Sequence, residues 1–472
     1  MMAAPARPIH DVADLRGRHA VVLGLARSGV AASRFLADAG AAVTAYDRRP
    51  ATELAEGVAE LEGRPVRLAL GIPEGEARAL IVGADLLVTS PSVSARFPTT
   101  DAWLRDALLA AEERGAEIVS EVELFLRLTR ARILGVTGTK GKTTTSTLVA
   151  AMLERAGIPH VLGGNIGTPL IERSTTLGPG DWAVVELSEL QLPTISRGAD
   201  VAVYTNIGED HLDRHGSVAA YRAVKARLAE LSAGGGRVIL NRDDPGSREL
   251  ASRLPAESIQ WYGLEPDEGL AAELSADGWL MMGRERLLPA SEVPIPGRHL
   301  LADVLAAALG ARAAGAEGPD IAAAVREFRG VPHRLELVGE RGGVRWVNDS
   351  QATIPLAAIA ALEAFDTPIV LIAGGRHKGL DYRAFADAIA ARARGVVLIG
   401  ETADELQGLI GDRVPAFRAS SMLEAVSLAA ALVRPGDVAL LAPAAASFDM
   451  FDDYAARGDA FRAAVAALGD AT

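Results

Sequence analysis

Short runs of Val, Ile and Leu recur along the chain, each followed by an Ala- and Leu-rich segment with helical spacing. This alternation predicts an α/β fold of mostly parallel sheets with crossover helices. The first run, His19-Ala20-Val21-Val22-Leu23, turns through Gly24 and Gly29 into an Ala-rich helix and a second strand ending at Asp47, a nucleotide-fold opening. The pattern restarts at Arg132-Ile133-Leu134-Gly135-Val136, with strands expected near 182–187 and 201–204 and a small β excursion within 264–296. It restarts again near Pro332, with strands expected at 367–373, 395–399 and 437–441. Two restarts predict three domains, 1–123, 124–331 and 332–472, the number that 472 residues allow.

Composition narrows the function. The chain is 49% hydrophobic and 23% charged, as globular chains are. With 48 Lys and Arg against 61 Asp and Glu, the net charge of −13 repels phosphate polymers and anionic bilayers. No nucleic-acid partner is therefore expected, while a small phosphorylated ligand stays compatible. The absence of cysteine excludes disulfides and thiolate chemistry and suits a reducing cytoplasm. Residues 1–14 hold no apolar run suited to secretion, and no stretch is long enough to span a bilayer. A cytoplasmic protein without membrane insertion is expected.

Two glycine turns carry candidate chemistry. Gly24-Leu25-Ala26-Arg27-Ser28-Gly29 holds part of a dinucleotide fingerprint, with Asp47 placed to accept ribose or uracil hydrogen bonds; a tight turn and a solvated strand-end acid would look the same. Gly135-Val136-Thr137-Gly138-Thr139-Lys140-Gly141-Lys142-Thr143-Thr144 is more specific, because it lies between a predicted strand and a predicted helix. Its glycines admit backbone donors to phosphate, Lys142 suits the β/γ oxygens and Thr143 suits Mg²⁺. Val136 stands where strict Walker A spacing has glycine, so the loop is a variant.

Two further segments, Glu186-Leu187-Ser188-Glu189-Leu190-Gln191 and Thr205 through Asp213, each follow an apolar strand, where α/β sheets place ligands. Glu186 can hold Mg²⁺, and His211 can orient a second ion or a phosphate. Alone, His211 would read as an edge histidine, Asp210 and Asp213 as helix caps and Lys225 as a solvated helical lysine. His333-Arg334 and Asn348-Asp349-Ser350 offer an arginine for phosphates and an acid for ribose, or else a salt bridge and an Asn-Asp turn.

Taken in order, these segments resemble the Mur ligase family over nearly the whole chain. The anchors are the 138–144 loop, Asn165-Ile166-Gly167, Glu186-Leu187-Ser188, Asp210-His211-Leu212-Asp213-Arg214, the 221–225 motif, His333-Arg334, Asn348-Asp349-Ser350, and Ala442-Pro443-Ala444-Ala445-Ala446-Ser447-Phe448-Asp449 followed by Arg457-Gly458. The resemblance implies a Rossmann-like domain for a UDP-linked precursor, a central P-loop ATPase domain and a Rossmann-like domain for the incoming amino acid. It further implies ATP-dependent addition of D-glutamate to UDP-N-acetylmuramoyl-L-alanine through an acyl phosphate, by an enzyme acting as a monomer. By the same carry-over Lys142, Glu186, His211 and Lys225 are catalytic, and Gly138, Thr139, Lys140, Gly141, Lys142, Thr143, Thr144, Asp303, Arg334 and Asp349 bind ATP. Ser28, Asp47, Arg49, Asn165 and His211 bind the precursor, and Thr353, Lys378, Ser447 and Tyr454 bind glutamate. Two Mg²⁺ ions, replaceable by Mn²⁺, rest on Thr143, Glu186, His211 and a carbamate on Lys225.

The chain departs from the family pattern at Ser92 in Ser90-Pro91-Ser92, at Gln351 and Ile354, and at Leu300 and Asp303 in His299-Leu300-Leu301-Ala302-Asp303. Relatives with another acceptor amino acid, L-glutamate included, and folate ligases are alternatives, although folate ligases lack such a first domain. A non-catalytic nucleotide-binding regulator is the alternative outside enzymes; it has no need of Lys142, Glu186, His211 and Lys225 together.

Overall fold

The computed structural model describes residues 9–97, 99–208, 217–294, 297–377 and 379–468. Among them the chain builds three mostly parallel sheets flanked by helices, the α/β class its strand–helix alternation predicts. It divides into two compact units, Met1–Phe328 and Arg329–Thr472.

The first unit holds two sheets. Strands β1 (His19–Leu23), β2 (Ala42–Asp47), β3 (Val66–Leu70), β4 (Leu86–Thr89) and β5 (Glu117–Ser120) run parallel in the order β3-β2-β1-β4-β5. The order reverses between β1 and β4, which opens a crevice beyond their carboxyl ends. The second sheet comprises β6 (Arg132–Thr137), β7 (His160–Gly164), β8 (Trp182–Glu186), β9 (Val201–Tyr204), β10 (Arg237–Asn241), β11 (Ile259–Gly263), β12 (Leu270–Leu274), β13 (Trp279–Met282) and β14 (Glu285–Pro289), in the order β14-β13-β12-β11-β10-β9-β6-β8-β7. Among the described residues only its β12–β13 and β13–β14 pairs are antiparallel; they form the β excursion expected within 264–296.

The second unit's sheet runs β15 (Glu336–Arg341), β16 (Val344–Asn348), β20 (Val438–Leu441), β17 (Ile369–Gly374), β18 (Ala393–Ile399) and β19 (Ala416–Arg418), with β15–β16 its antiparallel pair.

Alternate strand residues enter separate cores, because successive side chains leave opposite faces of a sheet. In the second sheet Ala183, Val185, Ala202 and Tyr204 face one core while Trp182, Val184, Val201 and Val203 face the other. In the third, Ile369, Leu371 and Ala373 alternate with Val370 and Ile372. Each fully buried Val, Leu or Ile contributes roughly 1.5–3 kcal/mol, so both faces hold the strands in register and fix where the carboxyl-end loops emerge. Two strands start later than expected for local reasons. Pro368 cannot donate to a ladder, so β17 begins at Ile369. The Asp437 carboxylate is engaged by the Arg434 N–H at 2.9 Å and by Arg394 at 3.0 Å, so β20 begins at Val438.

Candidate active site

The loop after β6 is shaped by glycine. Gly138 (φ 152°) and Gly141 (φ 82°) occupy the left-handed region. A Cβ on Gly138 would fall 1.9 Å from the Thr205 hydroxyl oxygen, and one on Gly141 would fall 2.3 Å from a carboxylate oxygen of Asp303. Gly141 caps the helix Lys142–Arg155, whose first turn holds Thr143 and Thr144; amides at a helix start attract anions.

The loop after β9 clamps this turn. The Lys140 N–H donates to Asn206 Oδ1 at 3.0 Å, and its carbonyl accepts from Asn206 Nδ2 at 3.1 Å and from the Thr205 hydroxyl. The Thr139 hydroxyl accepts the Gly208 N–H at 2.9 Å and shares a 3.0 Å hydrogen bond with the Tyr221 hydroxyl.

Two lysines converge on the same turn. Lys142 Nζ donates to the Gly138 and Thr139 carbonyls at 3.0 and 2.9 Å. Lys225, fully buried on the helix Val218–Ser232, donates to the Gly138 carbonyl at 2.9 Å and the Thr137 hydroxyl at 3.2 Å.

Glu186 ends β8, in register with Val136 on β6 and Gly164 on β7. Asn165 holds it twice, donating Nδ2 to Glu186 Oε1 at 2.8 Å and its N–H to the Glu186 carbonyl at 2.9 Å. Among the described residues, Glu186 Oε2 is buried without a hydrogen-bond partner. An unpaired buried carboxylate oxygen is costly, and a hard cation such as Mg²⁺ would satisfy it. Nearby, the Ser188 N–H and hydroxyl both donate to Gln191 Oε1 at 3.0 Å.

At the crevice of the first sheet lies a cavity of about 590 Å³, lined among others by Gly24, Ser28, Asp47, Arg49, Ser90 and Ser92. Asp47 accepts the Leu25 N–H at 3.0 Å, the Arg49 N–H at 3.0 Å and the Arg49 guanidinium at 2.9 Å. Burial alone would raise its carboxyl, yet the Arg49 guanidinium and the Arg49 and Leu25 amides hold it below the usual range.

In the second unit, Asp349 and Ser350 follow β16. Burial pushes the Asp349 carboxyl up to about 6, against the Leu335 N–H that it accepts at 3.0 Å and the charge of Arg334. His333 (φ 62°) and Leu335 (φ 44°) adopt left-handed backbone on either side of Arg334. Ser447 is buried. The Tyr454 carbonyl, at the start of the helix Tyr454–Ala467, accepts the Ser350 hydroxyl at 2.7 Å. Thr353 is half-buried two residues past Gln351. His211, with Asp210 and Asp213, and Lys378 lie outside the described residues.

Several organising residues had no role assigned from sequence. Thr205 and Asn206 clamp the glycine turn at Lys140, and Arg457, fully buried, pins two segments together. Its guanidinium donates to the Ser350 hydroxyl and carbonyl at 3.0 Å each and to the Ala445 and Ala446 carbonyls at 3.1 Å each. Burial pulls Arg457 down to about 10, opposed by Asp449, so it keeps its charge at neutral pH. The available signal was its place in the Arg457-Gly458 pair: a Cβ on Gly458 would fall 2.1 Å from His333 Nδ1.

Residues 136–311 match the family model of the Mur ligase middle domain, and 333–445 that of the Mur ligase, glutamate ligase domain. The UDP-N-acetylmuramoylalanine–D-glutamate ligase of Solibacter usitatus is 40% identical over 96% of this chain and 99% of its own. That of Nitrosococcus oceani is 38% identical over 94% of this chain and 96% of its own. Among solved structures, UDP-N-acetylmuramate–alanine ligase from Thermotoga maritima shares the fold, with a TM-score of 0.54 and 18% identity over 94% of this chain and 98% of that one.

Proposed function

Because the chain belongs to the Mur ligase family, we propose that it adds D-glutamate to UDP-N-acetylmuramoyl-L-alanine at the expense of ATP, a step of peptidoglycan precursor synthesis. Residues 1–123 take the precursor, 124–331 ATP and 332–472 glutamate. The observation that carries this reading is the convergence of Lys142 and Lys225 on one carbonyl, next to a strand end whose buried Glu186 has one oxygen unpartnered among the described residues. A plain nucleotide-binding turn has no need of the second lysine.

A free carboxylate is a poor acyl donor, so the precursor's alanine carboxylate first attacks the γ-phosphorus of ATP, giving an acyl phosphate and ADP. The glutamate amine then attacks the acyl carbon, and the tetrahedral adduct loses the amine's proton and expels phosphate, leaving the amide. Asn165, fixed through Glu186, orients the precursor's reacting end; Lys142 and the first turn of its helix hold the phosphate oxygens. Mg²⁺, when bound, would offset charge on the transferring phosphoryl group. Glu186 Oε2 and the Thr143 hydroxyl would hold one ion, and His211 with Lys225 the other.

For that second role Lys225 must become an oxygen donor. Its amine adds to CO₂ with loss of a proton, forming a carbamate. Two ammonium groups aimed at the Gly138 carbonyl repel each other, and carbamylation removes that repulsion. Arg334 and Asp349 would contact ATP, and Thr353, Lys378, Ser447 and Tyr454 would receive glutamate, with Arg457 holding the Ser447 segment in place.

The acyl phosphate is testable directly. Incubation with ATP and precursor without amino acid, followed by borohydride, should convert the alanine carboxyl to an alcohol detectable by mass. An enzyme that turns over with D-glutamate yet gives no alcohol would contradict the acyl-phosphate route.

A further inference from the structure

Glu121 lies in the wall of the first-sheet cavity but forms no part of the proposed chemistry. It opens the helix Glu121–Leu128 and is 5% exposed. Its Oε1 accepts the Ile171 N–H at 2.7 Å, fifty residues away in sequence. Ile171 begins the single turn Ile171–Arg173 that closes the segment started by Asn165. The next residue of that turn, Glu172, receives a two-pronged bond from Arg34 on the helix Arg27–Asp38, at 2.9 and 3.0 Å. One end of the 165–173 segment is thus fixed at Glu186 and the other is moored to the walls of the precursor domain.

We propose that Glu121 is a positioning residue for the ligation: from the cavity wall its carboxylate holds the Ile171 amide and so sets the segment by which Asn165 aims the precursor at the phosphate loop. The inference rests on the role given to Asn165 above. A packing role alone would be served by an apolar side chain. Instead burial pushes this carboxyl up to about 7, with the Ile171 and Leu170 amides opposing and the Glu172 carboxylate adding to the rise. Such a group is expensive to keep inside a fold, which fits a requirement for an acceptor at this position.

The test compares Glu121→Ala, Glu121→Gln and Asn165→Ala in the full-length enzyme, with folding checked by circular dichroism. Glu121→Ala should lower kcat at least about tenfold while calorimetric UDP affinity stays within about twofold. Glu121→Gln, whose amide oxygen can still accept the Ile171 N–H, should recover kcat to within about threefold of wild type. A folded Glu121→Ala with normal kcat, an equal loss of UDP affinity and kcat, or a Gln variant as slow as the Ala variant would each overturn the proposal. Should Glu121→Ala not fold, the shortened carboxylate of Glu121→Asp must show the same split between kcat and UDP affinity, and its failure to do so overturns the proposal equally. Normal turnover by Asn165→Ala would instead remove the role of Asn165 itself; a slow Asn165→Ala beside a normal Glu121→Ala removes only the inference about Glu121.

Discussion

Gly24 and Gly138 occupy equivalent places, each following the opening strand of a parallel sheet and preceding a helix, yet the two turns are equipped for different work. The first borders a formed cavity, and its acid, Asp47, is satisfied by Arg49 and two backbone amides. The second carries two lysines on one carbonyl and stands beside Glu186, whose buried Oε2 has no partner among the described residues. A satisfied turn has only to bind, whereas strongly polar groups held in costly arrangement are the mark of a place where charge moves. On the function proposed, similar topology would separate holding the precursor from activating it.

Removing the charge of the second turn should have the largest effect. Lys142→Ala is expected to lower kcat by about 10²–10³ while leaving calorimetric binding of the UDP precursor nearly intact; comparable losses in both would erase the distinction between the turns. Lys225→Ala should be next, with a loss of roughly 10², partly restored by a short-chain carboxylic acid that supplies the missing oxygens. Full activity in that variant, or an unmodified Lys225 in the working enzyme, would refute the carbamate. Beside the first turn, Asp47→Asn should raise the precursor KM about 10- to 10²-fold, since a charge-assisted hydrogen bond contributes about 1.5–3 kcal/mol, while kcat stays within about twofold. A kcat loss larger than the KM change would move Asp47 into the chemistry.

The smallest expected effect is on stability. Glu121 binds its proton more tightly in the folded chain, with its carboxyl raised by burial to about 7. Its contribution is full below the ordinary glutamate range and is lost as pH rises through about 7. Glu121→Gln should therefore raise Tm by a few degrees at pH 8 and leave it nearly unchanged at pH 4, as checked by thermal melts at both pH values.

What the sequence made legible was local. The 138–144 turn announced itself because glycine φ angles, a preceding strand and a helix start are all properties of adjacent residues. The strands were legible because residues of alternate faces are apolar on both sides of each sheet. Illegible were the bonds that close long loops: Asn206 to Lys140 across 66 residues, Lys225 to Gly138 across 87, Arg457 to Ser350 across 107 and Glu121 to Ile171 across 50. No spacing rule encodes such partners, which depend on which strand ends the sheet order brings together. Lys225 shows the limit most clearly, since helical spacing favoured a solvated lysine and the fold buries it completely.

An activating turn that serves one acceptor should couple phosphate release from ATP to a single amino acid. Purified enzyme, ATP, Mg²⁺ and UDP-N-acetylmuramoyl-L-alanine would be combined with a panel of L- and D-amino acids, and steady-state phosphate release recorded for each. Sustained release with D-glutamate, little with the others and none without the precursor is the predicted result. Equal or faster release with L-glutamate or another amino acid, or release that ignores the precursor, would contradict it.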